Sequence, residues 1–232
     1  MDQRKKHAQS DYRQGFVPLS KIKVHYVKFH TRQDRILYVF NQFKPYLHTK
    51  ILDVGCDEGF LKRYLTGTPY TGIDIADAAD MQVNLEKIDR LPFTDRSYEC
   101  VLCTDVLEHL DNLHAVFFEL LRVADRTIII SWPNNWVNAR RPLERGAGTF
   151  EHYGLPSENP CTRHKWFFNI SDARCFLYSS LQKHPEWHLA EEFITEKPRL
   201  TILRLIRRLR YPNREKYWNR YAHTYWTVLK RD

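Results

Sequence analysis

Residues with types and spacing suited to chemistry cluster at three places. The first is ILDVGCDEGF (51–60), where an apolar run ends in Asp53 and enters a turn holding Gly55, Cys56 and Gly59. Glycines there let the backbone take positive φ and approach a ligand closely. The second is Asp74, at the close of the apolar run YTGIDI. An acidic side chain about 20 residues beyond such a turn can accept both hydroxyls of a ribose. Together they point to an adenosine-containing cofactor. The dinucleotide fingerprint GxGxxG and the phosphate loop GxxxxGK[ST] are both absent. Asp53, two residues before Gly55, would repel a pyrophosphate but tolerates a cationic sulfonium with an α-amino group. The third place follows the apolar run YECVLCT. Asp105, Glu108 and His109 are its candidates for proton transfer, with His109 as the general base.

These residues need a frame that brings them to one edge. KILDVG, YTGIDI, MQVNL (81–85), YECVLCT and RTIIIS (126–131) read as strands, interleaved with helical patterns. One such pattern spans 34–47, with Ile36, Leu37, Phe40 and Phe43 on its inner face. Another spans 112–123, capped by Asp111, with Leu113, Val116, Phe117, Leu120 and Leu121 inward. Alternation of this kind predicts a doubly wound α/β fold with a mostly parallel sheet. Ligands in such a sheet sit at the carboxyl ends of the strands. Further on, 170–183 reads as a helix capped by Ser171, and 187–197 and 222–230 read as strands. Residues 133–169 show no periodicity and read as a lid-like segment carrying His152, Tyr153, His164, Lys165 and Trp166.

The chain has 232 residues, of which 43% are hydrophobic, enough for a sizeable core. No run of about 18 apolar residues is present. The polar, basic start MDQRKKHAQSDYRQG does not read as a secretory signal. Five cysteines, an odd number, favour a reduced, cytoplasmic setting. Cys100 and Cys103 lie three apart in a strand, so they face opposite sides and read as buried small hydrophobes.

The net charge of +8 is uneven: +6 over residues 1–35, −7 over 36–196 and +9 over 197–232. Basic ends favour an anionic partner, either nucleic acid, a phosphorylated substrate or a membrane surface, although solvated surface charge is an equally ordinary origin. Residues 1–35 read as a basic arm. In RLTILRLIRRLR (199–210), Ile202, Leu205, Ile206 and Leu209 share one helical face and the arginines take other positions. The ordinary expectation is that this apolar face packs on the domain; the alternative is peripheral contact with an anionic membrane. Tyr211, Tyr217, Trp218, Tyr221, Tyr225 and Trp226 interleave with basic residues in a pattern that stacking on RNA bases would use, but alternating aromatics in a strand usually mean core.

DVGCDEG, GIDI, LPFTDRSYECVL and TDVLEHL, in this order and spacing, resemble the class I S-adenosylmethionine-dependent methyltransferases, in particular the broad bacterial branch carrying DVLEHL. The resemblance covers roughly residues 36–134. It implies a Rossmann-like sheet of seven strands, the last antiparallel, and a methyltransferase domain over 36–232 with a basic insert at 199–220. It also implies cofactor-binding roles. Gly55, Cys56 and Gly59 would line the methionine part, near Asp53. Asp74 would hold the ribose and Ile75 the adenine face. Asn84 and Leu85 would meet the adenine edge, and Thr104 and Asp105 would close the methionine side. Asp57 departs from the pattern, standing where the family usually has a glycine; a carboxylate there could weaken cofactor binding and leave a non-catalytic binding protein.

Small-RNA 2′-O-methyltransferases have a string similar to DVLEH that binds a metal. Asp105, Glu108, His109 and His164 would imitate it here. The string is also widespread in metal-free relatives, where Glu108 and His109 would hold the loop and helix start, and no metal is expected. The implied activity is methyl transfer to a small molecule, glycan or lipid-linked intermediate, with RNA as the alternative acceptor.

Overall fold

The computed structural model describes residues 22–150, 152–158, 160 and 162–232. Its strands in chain order are β1 (Lys23–Tyr26), β2 (Ile51–Val54), β3 (Tyr70–Asp74), β4 (Met81–Gln82), β5 (Tyr98–Thr104), β6 (Ala124–Pro133), β7 (Trp187–Glu196) and β8 (Ala222–Arg231). The helices are α1 (Arg32–Phe43), α2 (Leu113–Val123), α3 (Asn135–Arg145), α4 (Ile170–Leu181), α5 (Thr201–Arg210) and α6 (Arg214–Tyr221). All eight strands join one sheet in the order β1-β7-β8-β6-β5-β2-β3-β4. β2 lies parallel to β3 and β5, and β5 parallel to β6. β8 runs antiparallel to both β6 and β7, as expected of the last strand.

The count is eight rather than seven because β1 adds to the edge, parallel to β7. It falls within residues 1–35, read above as an arm. The strand is four residues long and begins with a lysine, so its alternation is too short to register against a basic background. The rest of that arm, residues 1–21, lies outside the described residues.

β5 shows how the sheet divides the core. Val101 and Cys103 pack in one apolar layer, Cys100 and Leu102 in the other. Both cysteines are buried, on opposite faces, as their spacing predicted. α2 buries all five of its predicted inward residues.

Four local readings need correction. Asp111 does not cap α2; Asn112 holds that position without a side-chain bond, and Asp111 pairs with Lys165 at 2.7 Å. α4 is capped by Asn169, whose side chain accepts from the Ser171 and Asp172 amides, because asparagine one residue earlier reaches both donors; Ser171 bonds Asn219 instead. α1 buries Val39 and Phe43 while Leu37 faces solvent. The segment 133–169 is not structureless, since it contains α3. That helix buries only Asn135 and Ala139 and contains Pro142, so no apolar stripe announces it.

Candidate active site

The parallel strands β2, β3, β5 and β6 deliver their carboxyl ends to one edge, and the candidates from Asp53 to His109 come from the ends of β2, β3 and β5 and the loops that follow the strands there. At β2, Gly55, Asp57 and Gly59 all have positive φ, 76°, 51° and 64°. Gly55 has a second reason to be glycine: a Cβ there would lie 2.2 Å from Cγ2 of Val106. Asp57 tolerates the left-handed conformation better than most residues, so the turn survives without a third glycine. Its carboxylate pairs with Arg32 at 2.5 Å, and its backbone N–H donates to Asp74 Oδ2 at 3.0 Å.

Asp74 ends β3. Its Oδ1 accepts from the Ala76 amide at 3.1 Å, so two backbone donors orient the carboxylate at the tip of the strand. Ile75 beside it is 65% exposed, an apolar surface next to an acid. Asp53 is buried and accepts from the Tyr70 hydroxyl at 2.8 Å. Burial pushes its carboxyl up to about 6, and nearby Asp74 adds to that, against the opposing effect of the Tyr70 bond. Cys56 turns its thiol inward beneath Gly72, where a Cβ would lie 2.7 Å from the sulfur. Burial, helped by Asp53, Asp74 and Asp80, pushes that thiol up to about 12, so it offers no nucleophile, though Cys56 lines the cleft beside the turn with Gly59 and Gly72. Asn84 accepts from the Glu86 amide, and Leu85 is buried with its carbonyl held by Asn112.

At the end of β5, Asp105 also has positive φ, 56°. Its amide donates to Ser131 Oγ at 2.9 Å, its Oδ1 accepts from the same hydroxyl at 3.0 Å, and its Oδ2 meets Arg35 at 2.5 Å. Arg35 reaches from α1 and lies 4.9 Å from the ring centroid of Trp226. Thr104, the last residue of β5, pairs in register with Ser131. Sequence reasoning missed Arg35 and Ser131. Ser131 carries a positional signal, since it ends the apolar run of β6; Arg35 carries none.

Glu108 is 1% exposed, and its Oε2 has no hydrogen-bond partner. Burial, reinforced by Asp105, holds its carboxyl well above the usual range. His109 Nε2 lies 3.9 Å from Glu108 Oε1, and its Nδ1 sits 3.1 Å from the Arg163 carbonyl. A carbonyl only accepts, so Nδ1 carries the proton and Nε2 keeps its lone pair. Burial lowers the His109 pKa and keeps the ring neutral. His164 completes the group, with its ring centroid 4.5 Å from that of His109 and 4.1 Å from that of His152. Burial and the neighbouring histidines push it down to about 3. The lid-like segment reaches this turn because the Lys165 amide donates to the Glu108 carbonyl at 2.8 Å and Trp166 Nε1 to the Leu110 carbonyl at 2.7 Å.

Ligand-capable atoms of Glu108, His109 and His164 lie within 4.8 Å of one another, the spacing of a metal site. The unpartnered Glu108 oxygen and the Nε2 of His109 would suit an ion. His164 does not. Asn135 Oδ1 accepts from the Phe168 amide at 3.0 Å, so its Nδ2 is the group that donates to His164 Nδ1 at 2.9 Å. The Tyr153 hydroxyl proton is shared between that nitrogen at 3.0 Å and the Trp166 carbonyl at 3.1 Å. With Nδ1 accepting, the proton of neutral His164 is on Nε2. Asp105 is committed to Arg35 and Ser131. Two ligands without a third do not make a metal site, and no reaction step is routed through one.

Tyr217, Trp218, Tyr225 and Trp226 are fully buried, so these rings form core rather than a platform for bases. No helix is long and apolar enough to cross a membrane among the described residues.

Residues 52–127 match the family model described as a methyltransferase domain. No curated protein matches the chain. The fold is similar to magnesium protoporphyrin IX methyltransferase from Synechocystis PCC 6803 with bound SAH, at TM-score 0.53 and 16% identity over 87% of this chain and 84% of that one. It is similar to a SAM-dependent methyltransferase from Archaeoglobus fulgidus, at TM-score 0.54 and 16% identity over 86% and 94%. It is also similar to the methyltransferase domain of bacterial CtHen1, at TM-score 0.51 and 20% identity over 86% and 97%. The chain thus carries a methyltransferase-domain match over residues 52–127 and shares the fold of these methyltransferases.

Proposed function

We propose that the chain methylates a hydroxyl oxygen of a small molecule, glycan or lipid-linked intermediate, with His109 as general base. The observation that carries this reading is the Glu108–His109 pair: a neutral imidazole with its Nε2 lone pair available and its Nδ1–H fixed on the Arg163 carbonyl. When bound, S-adenosylmethionine supplies an electrophilic methyl group on a sulfonium. Asp74 would hold its ribose hydroxyls, Ile75 and Leu85 its adenine, and the Gly55–Gly59 turn its methionine part. The acids Asp53, Asp74 and Asp105 along the same edge suit a cationic ligand better than a phosphorylated one.

His109 Nε2 takes the proton of the acceptor hydroxyl as the oxygen attacks, which sharpens a nucleophile too weak when protonated. Glu108, buried 3.9 Å away and held neutral, sits beside that nitrogen as a polar neighbour rather than as a counter-ion. The segment around Tyr153, His164 and Trp166 is held against this turn by the Lys165 and Trp166 bonds to Glu108 and Leu110. Burial of Tyr217, Trp218, Tyr225 and Trp226 takes these rings away from base stacking, which leaves the basic ends as the support for RNA as the alternative acceptor.

The test uses methyl-labelled S-adenosylmethionine with the protein and a lysate of its own source, split into lipid, small polar, glycan, nucleic-acid and protein fractions. Label is expected in one of the first three, and lost in His109→Ala while cofactor binding persists by calorimetry. Label confined to nucleic acid would overturn the acceptor class. Unchanged transfer by His109→Ala would overturn the base. Binding without transfer to any fraction would support the non-catalytic alternative.

A further inference from the structure

α5 sits on the protein inside out. Its arginine side faces the domain: Arg204 lies 4.3 Å over the ring of Tyr26, Arg207 lies 4.4 Å over the ring of Tyr221, and Arg207 reaches the buried Glu196 carboxylate at 3.6 Å. Its aliphatic side faces solvent: Ile202 is 61% exposed, Leu205 51%, Ile206 54% and Leu209 81%, and no residue of the helix is buried. This reverses the expectation that the apolar face packs on the domain. The reason is that Tyr26, Tyr221 and Glu196 together offer the arginines better partners than the leucines would find. A row of exposed Leu and Ile on a regular helix must meet an apolar phase or remain a liability in water.

Arginines converge beside it. Arg140 and Arg141 of α3, with Lys197, Arg199 and Arg207, line a cleft whose single carboxylate is Glu196. Burial and the positive charges of Arg199, Lys28 and Arg141 lower the Lys197 pKa, a sign of cations crowded together without enough counter-charge. Arg210, at the end of the helix, is exposed.

We infer that α5 is an interfacial anchor that lies flat on an anionic lipid bilayer, its Leu and Ile side among the acyl chains and the surrounding arginines at the lipid phosphates. A helix with a strong apolar side and a basic side is the form that membrane-surface binding takes. Charge favours a bilayer over a second copy of this chain. Residues 197–232 carry a charge of +9, so two copies meeting here would bring like charges together, whereas lipid phosphates neutralise them. The inference does not depend on the acceptor or on His109. Because β7 and β6 both run antiparallel to β8, β7 ends at the edge that carries the candidate site, and α5 follows it there.

The test is flotation of the full chain with vesicles of phosphatidylcholine alone and of phosphatidylcholine mixed with phosphatidylglycerol, at low and high salt. The chain is expected to float with the anionic vesicles at least about tenfold better than with neutral ones, and to be released by salt. Ile206→Glu with Leu209→Glu changes two solvent-facing side chains, so folding by circular dichroism and cofactor binding by calorimetry should hold. Flotation should fall at least about tenfold, because two charges would enter the acyl region. Absence of flotation by the unsubstituted chain, or flotation unchanged in the double variant, overturns the inference. A dimer in sedimentation that the double variant dissolves, without vesicle binding, would assign the patch to self-association instead.

Discussion

Replacing Glu108 by glutamine probes the charge state on which the proposed chemistry depends. Glu108 is 1% exposed, has an oxygen without a partner and is held in its neutral form by burial and by Asp105. Its folded value is raised above the ordinary glutamate value of about 4.3. The folded protein therefore binds more protons than the unfolded chain above that value. Stability from this group is fully present below the unfolded value and is lost as pH rises toward the folded one. The loss is about 1.4 kcal/mol per pH unit. Glutamine mimics the neutral acid in shape and cannot ionise. The variant should therefore gain progressively on the unsubstituted protein as pH rises above the ordinary glutamate value, with a higher melting temperature at pH 7 than at pH 5 relative to it. Asp53, pushed up to about 6, titrates in the same window, but it is present in both proteins and cancels. The assay is urea denaturation of both proteins at several pH values across this range, alongside methyl transfer. Parallel stability curves would refute a neutral Glu108. Transfer should be retained, since glutamine reproduces the neutral acid beside His109; its loss would show that the chemistry needs a charged Glu108.

Four further outcomes are expected. Gly55→Ala places a Cβ 2.2 Å from Val106 Cγ2 at a φ of 76°, so it should cost about 2 to 4 kcal/mol in urea denaturation, with partial recovery in the Gly55→Ala, Val106→Ala pair. Asp74→Ala removes the carboxylate that accepts from Asp57 and Ala76 and should weaken S-adenosylmethionine at least about tenfold in calorimetry; unchanged affinity would sink the ribose assignment. Asp57→Gly relieves a positive φ and loses only an exposed pair with Arg32, so stability should stay level or rise by about 1 kcal/mol and cofactor binding should hold or tighten. A strong chelator should leave methyl transfer unchanged, since His164 presents a protonated Nε2; inhibition reversed by added metal would show that Asn135 turns its amide to free that nitrogen.

Local patterns along the chain determined much of this molecule. The run ending at Thr104 is apolar on both sides, as a central parallel strand is, and the runs ending at Asp53 and Asp74 precede it in alternation with helical patterns. Their carboxyl ends must then share an edge, so Gly55, Asp74, Asp105, Glu108 and His109 were bound to gather at that edge. The spacing of Cys100 and Cys103 likewise decided that they would part across the sheet. Other features belonged to the tertiary structure because they join residues that no local rule connects. Arg35 reaches Asp105 from a helix 70 residues away. Val106 makes Gly55 indispensable by crossing over it. The proton on His164 is set by an asparagine whose own orientation is set by the Phe168 backbone. α5 is the sharpest instance. Its sequence defines two faces, apolar and basic, and helical periodicity carries no sign for which face turns inward. Tyr26, Tyr221 and Glu196, contributed by three different elements, draw the arginines in and leave the leucines to the solvent.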